Sequence, residues 1–128
     1  MNTLKLIASL TMAVGFAACS GGHSTLSEGF AYRISKDQAS TLVDSTLRGH
    51  VASDRMLPGS DLVASGYDRS LTDTQTYTLS AIPVPASSAY GLEVRHEGTM
   101  FNGPTKAERI YEDLKRRADF LGPRVPVN

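Results

Sequence analysis

The sequence predicts an α+β fold: a small antiparallel sheet with two amphipathic helices packed on one face, in the order β-α-β-β-α. Three observations carry it. Residues 74–85 and 90–97 alternate apolar and polar side chains with a period of two, as half-buried strands do. Residues 36–51 and 105–121 repeat apolar side chains at helical spacing. Turn signals at Pro58-Gly59, at residues 86–89 and at Gly122-Pro123 separate these segments.

Phe30, Tyr32 and Ile34 alternate with Ala31 and Arg33, so 30–34 reads as the first strand. Ser35 and Gln38 then have the spacing of a capping box. Ala39, Leu42, Val43, Leu47 and Val51 follow as one stripe, giving a helix over 36–51 with Gly49 at its end. Residues 52–66 hold the Pro58-Gly59 turn and a short strand candidate at 61–65. Asp54, Asp61 and Asp68 recur every seven residues, and each is expected in a turn or loop, where its carboxylate can bond nearby backbone.

Thr74–Pro85 is the clearest strand, with Tyr77, Leu79 and Ala81 opposite Thr76, Thr78 and Ser80. Pro83 and Pro85 remove two backbone donors, so its far end is expected at a sheet edge or bulge. Tyr90, Leu92, Val94 and His96 share a face opposite Glu93, Arg95 and Glu97, which completes a hairpin with one wet side. Thr105 and Glu108 form a second capping-box pattern. Ala107, Ile110, Tyr111, Leu114, Ala118 and Leu121 continue it as an apolar stripe, and Gly122-Pro123 stops it.

The N-terminal segment is of another kind. Met1 and Lys5 supply a thin positive start, and residues 6–18 are apolar. As a helix those residues span about 20 Å, short of a hydrocarbon core of roughly 30 Å. Phe16-Ala17-Ala18-Cys19-Ser20 follows. Small residues before a cysteine, at the close of such a segment, resemble the lipobox of a bacterial lipoprotein signal peptide. Phe16 stands where that pattern more often has leucine. The resemblance covers only the first 20 residues. It implies that residues 1–18 are removed and that Cys19 becomes the lipidated first residue. It further implies, through Ser20, an outer-membrane location facing the periplasm. Gly15-Phe16-Ala17 also fits an ordinary secretory cleavage site, which would leave Cys19 a free thiol.

The expected organisation is therefore a signal peptide at 1–18, lipidated Cys19 with a flexible Gly/Ser tether to residue 29, one domain at 30–122, and a loose tail at 123–128. The tether would reach about 18 Å as a random coil. With 41% hydrophobic residues the chain has the material for a core. The 13 basic and 13 acidic residues balance, which leaves no basic stripe for nucleic acid. Cys19 is the sole cysteine, so no internal disulfide can form.

No catalytic pattern stands out. His23, His50 and His96 lack the i,i+4 spacing of a helical metal motif, and no Gly-x-Ser-x-Gly or phosphate-binding loop occurs. Glu93 and Glu97 share the wet face of a strand, where solvated charge is the plain reading. Lys115-Arg116-Arg117 is the one basic cluster, interspersed with Glu112, Asp113 and Asp119. No cofactor or metal is expected. The expected function is that of a non-enzymatic accessory or protein-interaction domain, anchored in the envelope with a protein partner. Its docking surfaces would be the Pro83–Pro85 edge and the wet face. The alternative is a small-molecule or lipid-binding module, with Tyr32, Tyr77, Tyr90 and Tyr111 lining a pocket.

Overall fold

Period-two alternation builds the middle of the molecule, and helical periodicity builds its cover. The computed structural model describes residues 22–71, 73–98 and 103–127; Cys19 and residues 1–18 lie outside them. In chain order the elements are β1 (Gly22–Ser27), β2 (Phe30–Tyr32), α1 (Lys36–Arg48), a 3₁₀ turn at Ser53–Arg55, β3 (Met56–Ser60), β4 (Val63–Arg69), β5 (Thr74–Pro83), β6 (Tyr90–Gly98), α2 (Gly103–Leu121) and β7 (Arg124–Pro126). All seven strands join one antiparallel sheet in the order β3-β4-β5-β6-β2-β7, with β1 beside β6 and in line with β2.

The mixed helix-and-sheet character matches expectation, but the sheet is larger than the small one expected and the order β-α-β-β-α is wrong. Four strands account for the difference. β1 occupies most of the stretch read as a tether: Gly22–Ser27 pair with Gly98–Glu93. Its Gly, Ser and Thr content masked a strand that gains backbone partners from β6. β3 runs through Pro58-Gly59, where a turn was expected, and β4 overlaps the strand candidate at 61–65 and carries Asp68 within a strand rather than a turn. β7 lies in the expected loose tail, where Arg124 pairs with Tyr32 and Pro126 with Phe30.

α1 starts as the sequence predicts. Ser35 Oγ accepts the Gln38 amide proton at 3.0 Å, and Gln38 Oε1 accepts that of Ser35 at 2.9 Å. Gly49 caps its end. α2 begins two residues before Thr105, so Thr105 lies inside its first turn rather than at its cap. α1 packs over β4 and β5, and α2 over β6 and β1, with the helices touching each other. Between them lie Leu42, Val43, Leu47, Ile110 and Leu114, against Tyr77, Leu79 and Val94 of the sheet, all buried. Full burial of each such aliphatic side chain stabilises by about 1.5–3 kcal/mol. Gly66 permits this packing: a Cβ there would meet Val51 Cγ2 at 2.9 Å.

Candidate functional site

The side of the sheet away from the helices is open and polar. Ser65, Thr76, Thr78, Ser80, Glu93, Arg95 and Glu97 line up on it because strands alternate. Ser65 Oγ and Thr78 Oγ1 lie 2.9 Å apart, and Arg95 pairs with Glu97 at 3.4 Å. Glu93 and Glu97 share this face as expected. Four residues of strand separate them by about 13 Å, beyond the spacing at which two carboxylates divide acid and base roles on one bond.

One apolar groove interrupts the polar face. Ile82 stands opposite Gly91 in the β5–β6 ladder. Gly91 has no side chain to fill the space, and a Cβ there would meet only the Ile82 carbonyl oxygen, at 3.9 Å. The result is a groove of about 320 Å³ walled by Phe30, Ile82, Pro83, Pro85 and Val127. Glu28 and Glu93 stand beside it. β4 is paired with β5 only as far as Val63 and Ser80, so residues 82–83 run on past it. The edge expected from Pro83 is therefore present, and Ile82 is 46% exposed.

The tyrosines sit elsewhere. Tyr32, Tyr77 and Tyr111 are buried in the core, and Tyr90 is half-buried against it. Burial pushes the Tyr32 and Tyr77 phenols up to about 12 and Tyr111 higher still. None of the four lines the groove. None lines a second hollow of about 400 Å³ over α1, which Gln38, Thr41, Leu42, Ser45, Arg117 and Leu121 surround.

No protein-family model matches the chain, and no curated protein matches it. The geometry of its polar groups has to speak for itself.

His50 and His96 take structural places. His50 Nε2 lies 2.9 Å from Asp113 Oδ2, tying the end of α1 to α2. Burial works against the charge of Asp113, yet hydrogen bonds from His50 and Arg117 hold its carboxyl below the usual range. Arg116 joins the same carboxylate. Lys115 pairs with Glu28 at 3.0 Å and Glu112 at 3.2 Å, and lies over the Tyr111 ring. Arg116 and Arg117 of the basic cluster thus pair with Asp113 of their own helix, and Lys115 pairs with Glu112 of that helix and with Glu28 between β1 and β2. His23 falls in β1, and Cys19 lies outside the described residues.

His96 is fully buried. Its Nε2 bonds Gln75 Oε1, and Gln75 Nε2 in turn donates to Asp73 Oδ2. Burial pushes the imidazole below its ordinary value, against the opposing pull of Asp73 and Glu97. Gly103 sits on this group: a Cβ there would collide with His96 Nε2 and Gln75 Oε1. Sequence reasoning placed His96 on the buried face but missed Gln75. The same alternation puts Gln75 in register with Tyr77, and that was the available signal. Among the described residues, no group of three or more His, Cys, Asp or Glu is arranged to hold a metal. No helix among them is long and apolar enough to cross a membrane.

Proposed function

We propose that the chain is an envelope lipoprotein: a non-enzymatic interaction domain held at the outer membrane, on its periplasmic side, by lipid on Cys19. The lipobox-like Phe16-Ala17-Ala18-Cys19-Ser20 supports the anchor. The single observation that carries the interaction role is the placement of the apolar groove. β1 starts at Gly22, and three residues of chain extend at most about 10 Å. A lipid on Cys19 would therefore hold to the bilayer the end of the sheet formed by Gly22, Gly98 and the turn between β4 and β5. The groove at Gly91 is about 23 Å further along β6. An anchor at one end leaves the apolar groove turned away from the bilayer, available to a partner in the periplasm.

Partner protein is the favoured occupant over a small ligand because the groove continues, through Glu93, into the polar face of Ser80, Thr78 and Arg95. A photo-crosslinker at Ile82, in the full chain in native envelopes, is expected to give a defined adduct with another envelope protein. Recovery of the monomer alone would contradict the interaction role. A ligand that co-purifies with the unlipidated domain and is lost on filling the groove would instead favour the small-molecule reading.

A further inference from the structure

Among the described residues, three strands have an edge without a strand partner, and they are not alike. β3 carries Pro58 and a break in register between Leu57 and Ser60. β7 carries Arg124 and Pro126. Prolines, charges and bulges are the devices by which sheets refuse further strands. β1 has none of them: its sequence GHSTLS contains no proline and no Asp, Glu, Lys or Arg, and its pairing with β6 is regular over six residues. Its side toward β7 has no strand partner among the described residues. Thr25, Leu26 and Ser27 are each partly exposed.

The neighbouring strand shows how that side can be filled. β7 already occupies the equivalent edge of β2, and its line continues as the Val127 amide donates to the Gly29 carbonyl oxygen at 3.4 Å. A strand placed antiparallel to β1 would extend the same row, running from beside Ser27 toward Gly22. We infer that the outer edge of β1 is a docking site for an extended strand from a partner protein, added antiparallel to Gly22–Ser27.

The occupant is a partner and not a second copy. Pairing β1 with itself about a two-fold axis puts the two Gly22 residues at opposite ends of the strand pair. With the Gly22 end of the strand toward the bilayer, as proposed above, the second copy's Gly22 would stand about 17 Å further off, beyond the about 10 Å that the three residues from Cys19 can span. The incoming strand needs an apolar side chain beside Leu26, which packs toward the core, and a small polar one beside Thr25 on the open face. Main-chain bonds supply affinity and the alternate side chains supply selectivity. The inference rests on the interaction-module reading and names the chemistry of its partner.

Two linked measurements test it. First, a chain extended beyond Asn128 by Thr-Val-Thr-Val-Thr offers β1 a strand in cis. Amide exchange within residues 22–27 is expected to slow at least tenfold against the natural chain. Second, a photo-crosslinker at Thr25 in native envelopes is expected to join another protein, and that adduct is expected to disappear in the extended chain. The same crosslinker at Ser60 on β3 is expected to give no defined adduct. Unchanged exchange, no adduct at Thr25, an adduct with lipid or a second copy, or one that persists in the extended chain would each overturn the inference. Cys19→Ser separates the two readings: it is expected to abolish lipidation while leaving the slowed exchange of the purified extended chain intact.

Discussion

Gly22 of β1 stands opposite Gly98 of β6, so the proposed lipid on Cys19 would turn this end of the sheet toward the bilayer. The β4–β5 turn, with Leu71 fully exposed, is at the same end; the β5–β6 turn, with Ser87 exposed, is at the other. With Cys19 lipidated the chain has no free thiol, so a single introduced cysteine can be labelled alone. On vesicles, a fluorophore at Leu71→Cys is expected to be quenched by lipid-borne quenchers. One at Ser87→Cys is expected to be spared. Equal quenching would reject the orientation.

The groove can be filled without disturbing the fold. Gly91→Val places its methyl groups in open space, so stability should stay within about 0.5 kcal/mol of the parent in urea unfolding. The Ile82 crosslink in native envelopes is expected to fall at least fivefold. A variant that unfolds easily, or that crosslinks unchanged, would show that the groove is not the docking floor.

His96 predicts a pH dependence of stability. Its folded form holds the imidazole neutral, below its ordinary value of 6.5, while the unfolded chain protonates near that value. The unfolded state therefore binds more protons as pH falls below 6.5. Stability is full above 6.5 and declines below it, by at most about 1.4 kcal/mol per pH unit. Asp113 acts in the same direction but only below 3.8, so it is silent in this window. Urea unfolding between about pH 7 and pH 5.5 should show the decline, and His96→Gln should flatten it.

Gly103 closes over the same buried group. Gly103→Ala is expected to cost about 1–3 kcal/mol by overpacking against His96 and Gln75. Thermal unfolding that moves by less than a degree would mean that α2 does not seat where described.

The clasp between the helices is a further case. The Asp113 side chain is 12% exposed and receives His50 and Arg117. Asp113→Ala leaves His50 and Arg117 without their acceptor and should destabilise by about 1–3 kcal/mol. High salt should reduce the difference only slightly, because the group is mostly buried.

Elements with strong periodicity were legible in the sequence. The capping box at Ser35 and Gln38, the hairpin of β5 and β6, and the helix that buries Ile110 and Leu114 all formed as their patterns require. β1 was not legible, because Gly22 to Ser27 carry little apolar signal and depend on backbone bonds to β6. β7 was hidden for a similar reason: three residues ending in proline look like a tail until Tyr32 and Phe30 supply partners. The groove escaped notice because it is made by an absent side chain at Gly91, and only the register shows that Ile82 faces it. Alternation marks Gln75 and His96 as inward-facing, but the polar link between them depends on the register of β5 against β6, which only the structure shows.

Metabolic labelling with a fatty acid, comparing the natural chain with Cys19→Ala, tests the anchor itself. Label on the natural chain, and its loss together with release from membranes in the variant, is the expected result. An unlabelled natural chain whose intact mass shows a bare thiol, or an N-terminus other than residue 19, would remove the anchor and the orientation built on it.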